Sequence, residues 1–373
     1  MKILFISNII GKGVGAFAKA SIEAAHRLRM EYHIAANFSN STADQIVQDE
    51  NNYRITIHHI DFERNPFSAK NIEAFKQLDE LVQLEDYDII HCNTPVGGIA
   101  GRIIGHRNGV RRVIYQAHGF HFYKGAPLRN WILYYPAEKT LAGLTDAIVT
   151  INREDFDFAG KYLNPGLKVY YVPGVGIELE QWNSYKDIRE ELGFKNKDFV
   201  IIVVGRLEKN KNCSVIIKAV KKLHDKQVKL VFCGDGEDYR LLNRMASEIS
   251  DQVYFLGNRS DMSDLYHMAD CFVMASYREG LSRSIMEAMA CGLPCIVSDI
   301  RGNRDLIDLE GGFLFNPDDV IGLAEKIRIL KESGELRDKM STHNLEKIRT
   351  FSFEKVVEEL TRIYKEMLNK TSI

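Results

Sequence analysis

Short Ile- and Val-rich runs alternate with longer periodic segments along nearly the whole chain, and this alternation constrains the fold more than any other feature. Runs near 2–7, 32–36, 54–60, 88–92, 112–117, 146–150 and 168–172 read as strands, with helical patterns at 14–29, 70–84, 128–143 and 153–162. A second series follows at 198–204, 228–233, 252–256, 270–275, 294–298 and 312–315, again with helices between. Strands with so few polar alternations are buried on both faces, which requires parallel sheets covered by helices. The expectation is an α/β protein of two Rossmann-like, doubly wound domains.

The length of 373 residues suits two cores better than one. Pro173, Gly174 and Gly176 interrupt the periodicity, and polar residues precede the fresh strand at 198. The expected domains are therefore 1–173 and 174–350, with a closing segment 351–373. In that segment Val356, Val357, Leu360, Ile363, Tyr364 and Met367 recur at helical spacing, and no strand follows. It must dock on a domain already built.

Composition narrows the function. A formal net charge of −2 gives no general attraction to nucleic acid, so no nucleic-acid partner is expected. The opening MKILFIS is too short for a signal-peptide core, and no later run reaches membrane-span length. A cytoplasmic protein is expected. Cys92, Cys213, Cys233, Cys271, Cys291 and Cys295 form no pattern of metal-ligand spacing and read as buried free thiols. No structural metal is expected.

In open α/β sheets, ligands bind beyond the carboxyl ends of the strands, so two such domains would offer the walls of one cleft. Gly11, Gly13, Gly15 and Ala16 follow the first strand and precede a helix, where glycines admit an anion close to the backbone. The dinucleotide fingerprint also needs an acid after the second strand; Ala35, Ala36 and Asn37 stand there instead. In Val204-Gly-Arg-Leu-Glu-Lys-Asn-Lys-Asn212, Gly205 permits a turn from which Arg206 and Lys211 can meet a diphosphate.

The sharpest stretch is Ser276-Tyr-Arg-Glu279-Gly-Leu-Ser-Arg-Ser-Ile-Met-Glu287. Amides near Gly280, Leu281 and Ser282 open a helix and suit phosphate oxygens. Glu279 stands where it can bind sugar hydroxyls, and Glu287 can accept both hydrogen bonds of a ribose diol. Ser284-Ile-Met-Glu287 also fits a capping box, so spacing alone leaves Glu287 between ligand and cap. His118 and His121, in Ala117-His-Gly-Phe-His-Phe-Tyr-Lys124, are candidates for polar sugar contacts. Between 102 and 139, seven Lys/Arg (102, 107, 111, 112, 124, 129, 139) face one acid, Glu138, among Trp131, Tyr134 and Tyr135. Such a stretch is either a solvated basic face or a docking site for an anionic membrane surface.

The run EGLSRSIMEAMACGLPCIVSDIRGNRDLI resembles the E-x7-E segment of retaining glycosyltransferases of family 4. VGRLEKNKN is similar to their donor-phosphate segment, CGDGEDYRLL to their next Gly-rich turn, and VPGVGIE to their interdomain segment. HGFHFYKGAPLRNWILYYPAEK resembles bacterial capsule and exopolysaccharide members. The first Gly loop lacks the Gly-Gly-x-Glu/Arg pattern of many members. The resemblance implies a GT-B fold with a closing helix that crosses back to the first domain. It implies a nucleotide-sugar donor, with uridine favoured, and a saccharide acceptor; the basic-aromatic stretch 102–139 supports a polyprenyl-diphosphate-linked acceptor at the inner face of the plasma membrane. By resemblance Arg206 and Lys211 stabilise the diphosphate, Glu279 contacts the donor sugar, Glu287 the ribose, and His118 the sugar. Gly13, Gly15, Gly205, Gly234, Asn258, Gly280, Leu281 and Ser282 complete the donor site, with no metal and no cofactor. The alternatives are a nucleotide-sugar epimerase and a non-catalytic sugar-binding protein.

Overall fold

The computed structural model describes all residues except Lys12 and residues 370–373. The chain divides into two compact units: Met1–Gly176 with the closing helix Phe353–Asn369, and Ile177–Ser352. Each is built around one parallel sheet.

The first sheet comprises β1 (Lys2–Ile9), β2 (Glu31–Asn37), β3 (Thr56–His59), β4 (Ile89–Asn93), β5 (Arg112–Ala117), β6 (Ala147–Thr150) and β7 (Lys168–Tyr171). Its order is β3-β2-β1-β4-β5-β6-β7, and every pairing is parallel. The second holds β8 (Phe199–Val204), β9 (Val228–Cys233), β10 (Val253–Gly257), β11 (Cys271–Met274), β12 (Cys295–Ser298) and β13 (Gly312–Phe315) in the order β10-β9-β8-β11-β12-β13. These strands too pair in parallel. The strand order therefore reverses between β1 and β4 in one sheet and between β8 and β11 in the other. Such switch points leave a crevice between diverging loops, where α/β sheets bind their ligands.

Two further helices lie outside the helical patterns named above: Ala43–Tyr53 and Pro95–Arg107. The first buries only Asp49 fully and so presents no apolar stripe to read. The second is Gly-rich because it lies directly on the sheet. A Cβ on Gly101 would stand 2.5 Å from Cys92 Cβ, and one on Gly98 would stand 2.5 Å from the Tyr115 ring. Close approach outweighs the low helix propensity of glycine here.

The closing helix buries Val356, Val357, Leu360, Ile363, Tyr364 and Met367 in the core of the first unit. Polar contacts fix its register. Tyr364 Oη meets His91 Nδ1 at 2.6 Å, Tyr170 Oη donates to Glu366 at 2.7 Å, and Arg27 grips Glu354 through two 2.9 Å hydrogen bonds. All six cysteines are free; five are buried and Cys291 is partly so. Among the described residues no helix is long and apolar enough to cross a membrane.

Candidate active site

The second unit assembles its candidate residues at the β8/β11 switch point. β8 ends at Val204, and Gly205 (φ +144°) turns the chain sharply. A Cβ on Gly234, at the end of β9, would lie 2.1 Å from the Gly205 carbonyl oxygen, so Gly234 is needed for two turns to pass. After the turn, a single 3₁₀ turn (Lys209–Lys211) carries Lys211 back toward the loop that follows β11. Tyr277 N donates to Asn210 O at 2.9 Å, Asn210 Nδ2 to Arg278 O at 3.1 Å, and Lys211 Nζ to Glu279 Oε1 at 2.7 Å. Both side chains of that ion pair are largely shielded from solvent. Gly205, Arg206, Lys211, Ala275 and Ser276 line one pocket. Arg206 differs from Lys211: its side chain is 73% exposed and lies 3.5 Å from Glu208. The sequence places the two cations together; the structure gives them unlike settings.

The helix Arg283–Ala290 begins beside Glu279. Its N-cap is Ser282, whose hydroxyl lies 3.2 Å from Ser284 Oγ and makes no cap hydrogen bond. The capping-box reading of Ser284 and Glu287 is thereby corrected, because the cap falls two residues earlier and Glu287 lies within the helix. Its carboxylate instead accepts from Arg283 Nε and Tyr266 Oη, both at 3.0 Å. Burial pushes the Glu287 carboxyl up, against the pull of Arg283 and Tyr266. Gly280 and Leu281 are held from behind, where the Gly280 carbonyl leaves no room for a Cβ on Gly302. Asn258 stands exposed in the bend after β10.

In the first unit, His118 follows β5. Its Nε2 lies 2.9 Å from Asn93 Oδ1 at the end of β4, and its ring meets Phe17 edge-on at 4.4 Å between centroids. Its Nδ1 is buried with no hydrogen-bond partner among the described residues. Burial lowers the pKa of His118 to about 4, so the ring is neutral near pH 7. His121 stacks at a tilt on Tyr134, and its backbone carbonyl accepts from Asn130 Nδ2. The Gly13–Gly15 turn departs from the expected open anion cradle. Val14 N already donates to the Asp49 carboxylate at 3.0 Å, and Gln45 Nε2 donates to the same group at 3.2 Å. No pattern in the sequence announces this internal carboxylate, because it comes from the apolar-poor helix Ala43–Tyr53.

The basic stretch also needs correction. Arg102 is wholly buried, donates to Glu138 at 2.7 Å and lies 3.9 Å over the Tyr115 ring. Arg112 is buried and donates to Met367 O, while Arg107 pairs with Asp79 at 3.6 Å. Arg102 and Arg112 hold the fold together, whereas Arg107, 70% exposed, and Arg111 stay on the surface. Lys124, Arg129 and Lys139 remain exposed, on or next to the helix Leu128–Leu141 with Leu128 (74%) and Ile132 (68%).

Doubly wound parallel folds bind ligands at the switch point, and a helix start there suits an anion. Comparison with known proteins defines the class. Residues 184–346 match the family model "Glycosyl transferases group 1", and residues 19–152 match "Glycosyl transferase 4-like". EpsD of Bacillus subtilis (strain 168), provisionally named a glycosyltransferase, is 36% identical over 97% of this chain and 96% of its own. The UDP-Gal:alpha-D-GlcNAc-diphosphoundecaprenol alpha-1,3-galactosyltransferase of Escherichia coli is 32% identical over 69% of this chain and 70% of its own. Among solved structures, Anabaena HepE in complex with UDP superposes with a TM-score of 0.79, at 21% identity, over 98% of this chain and all of that one. The chain belongs to the group 1, family-4-like glycosyltransferases and has the GT-B class of fold. It is an enzyme, a glycosyltransferase.

Proposed function

We propose that the chain transfers a hexosyl residue from a UDP-sugar, with retention at the anomeric carbon, to a saccharide carried on polyprenyl diphosphate in cell-surface polysaccharide assembly. The observation that carries this reading is the shielded Lys211–Glu279 pair beside Gly205 and the start of the helix Arg283–Ala290. The donor and acceptor in the name of the Escherichia coli relative support the choice of substrates.

In the free chain Lys211 and Glu279 neutralise each other. An arriving diphosphate offers Lys211 a second anionic partner, and Glu279 is then released to accept hydrogen bonds from the donor sugar. The amides of Gly280, Leu281 and Ser282 face developing charge at the helix start, and exposed Arg206 completes the anion site. Glu287, already fixed by Arg283 and Tyr266, accepts the ribose hydroxyls. His118 receives a sugar hydroxyl. Gly205 and Gly234 keep the turns tight enough for the diphosphate, Asn258 lies at the rim, and Gly13 and Gly15 border the acceptor side. The C1–O bond to the departing phosphate breaks while the acceptor oxygen bonds C1 on the same face, and the acceptor proton passes to the phosphate oxygen. Positive charge from the protein replaces that of a divalent metal, so turnover should persist in chelator. Loss of turnover in EDTA with recovery on adding magnesium or manganese contradicts this.

The exposed apolar residues and cations of the helix Leu128–Leu141 fit peripheral docking to an anionic membrane from the cytoplasmic side. Isothermal titration with UDP-sugars tests the donor site: Lys211→Ala should weaken binding by about tenfold or more, as expected for a charge-assisted contact. Equal affinity of the two chains would contradict the assignment.

A further inference from the structure

Asn93 ends β4 and His118 follows the adjacent β5, and their shared hydrogen bond fixes more than a position. Asn93 is buried, and its amide nitrogen donates to the His91 carbonyl at 3.3 Å. That carbonyl can only accept, so the Asn93 amide cannot be turned the other way. Its oxygen therefore faces His118 Nε2, and an amide oxygen can only accept as well. His118 must then carry its proton on Nε2. A neutral imidazole has one N–H, so Nδ1 is a bare acceptor, and this is the buried atom left without a partner. A buried acceptor with no donor costs free energy unless a ligand supplies one.

The chain holds this arrangement at a cost in backbone strain. Thr94 adopts φ +63°, ψ +163°, a region that residues with a Cβ occupy only under constraint. Its hydroxyl donates to Asn8 Oδ1 at 2.6 Å, and Asn8 N donates back to it at 3.0 Å. Gly97 N also donates to Asn8 Oδ1 at 2.6 Å. The end of β4 is thus tied to the end of β1, with Asn93 set at the point where it meets His118. Strain retained at a strand end beside an unsatisfied acceptor marks a preorganised site rather than a packing accident.

We propose that Asn93 is a positioning residue: it holds His118 in the Nε2–H form and so presents bare Nδ1 as the acceptor for a hydroxyl of the substrate sugar. The inference rests on the reading of His118 as a sugar contact given above. Asn93 acts through His118 and touches no substrate itself.

The test combines ¹⁵N spectra of histidine-labelled full-length protein with pH–rate profiles of nucleotide release for wild type, Asn93→Ala, Asn93→Asp and His118→Ala. In wild type, His118 Nδ1 should show the shift of an unprotonated nitrogen and move on addition of a UDP-sugar. Asn93→Ala should lose about tenfold in turnover, as for one misplaced hydrogen bond. Asn93→Asp still accepts from Nε2 but adds a negative charge that favours the imidazolium, whose Nδ1 cannot accept. Its acid limb should rise by about 1–3 pH units, read relative to the variant's own alkaline plateau. A residue that merely supported the fold would not move that limb. A proton on Nδ1 in the wild type, or an Asn93→Asp profile superimposable on wild type, overturns the proposal. Wild-type turnover by His118→Ala overturns the underlying sugar-contact reading instead, so the two failures are distinguishable.

Discussion

At the residue scale, the proposed site rests on groups that pair with each other in the free chain and that the proposal assigns to the donor in catalysis. Lys211 and Glu279 are each other's counterion, so removing either leaves the other shielded from water and unpaired. Glu287 was the residue on which spacing was undecided. Ser284 and Glu287 have the offset of a capping box, but Ser282 occupies the N-cap, and only the side-chain contacts to Tyr266 and Arg283 separate the readings. Glu287→Gln should therefore leave the melting temperature within a few degrees of wild type and weaken donor binding by about tenfold. Calorimetry of the donor complex checks this, and an unchanged affinity would return Glu287 to a structural role.

The same scale sets the response to acid. Burial holds the pKa of His118 at about 4 and that of His91 at about 3, against an ordinary value of 6.5. A histidine held neutral in the fold but free to protonate when unfolded contributes fully to stability above pH 6.5. That contribution is lost as the pH falls from 6.5 through the folded value, at roughly 1.4 kcal/mol per unit of pH and per group. Urea denaturation should show stability falling from pH 6.5 toward pH 4, and less steeply in His118→Asn. A flat profile over that window would contradict the burial of these rings.

At the scale of elements, strands were the legible part, because an unbroken Ile/Val run is enough to mark a strand buried on both faces. The helices Ala43–Tyr53 and Pro95–Arg107 were hidden for opposite reasons. One lies at the surface without an apolar stripe, and the other is so close to the sheet that its inner face is glycine. The tight fit predicts that Gly101→Ala, which puts a Cβ 2.5 Å from Cys92 Cβ, costs about 1–3 kcal/mol in urea denaturation. A cost near zero would show that the helix can lift off the sheet. The helix Leu128–Leu141 carries the membrane reading. Leu128→Ser with Ile132→Ser, or Arg129→Glu with Lys139→Glu, should reduce sedimentation with anionic vesicles. Arg112 is unsuited to that test because it anchors the closing helix through Met367 O. Vesicle binding unchanged in both double variants would leave this helix an ordinary exposed surface.

At the scale of the molecule, the tandem α/β plan was readable from periodicity and the docking of the last helix from its apolar face, but its return to the first unit came only from the family resemblance. The chemistry was less so. Gly205, Arg206, Lys211, Glu279 and Glu287 lie on one unit and could be grouped from the sequence by their place after strands. Asn93 could not, because a lone Asn before Thr-Pro carries no signal until its contact with His118 is seen. The Asp49 carboxylate in the first Gly turn was equally invisible, since it lies 35 residues from the amide it receives.

The claim that unites these scales is that Lys211 stabilises a departing nucleoside diphosphate during transfer to a lipid-linked sugar. The most direct measurement is UDP release by the purified chain, supplied with UDP-sugars and with or without a polyprenyl-diphosphate-linked saccharide. The account predicts release that depends on the acceptor and falls by roughly 10²–10³-fold in Lys211→Ala. Release that ignores the acceptor, or that survives undiminished without the Lys211 ammonium, would contradict it.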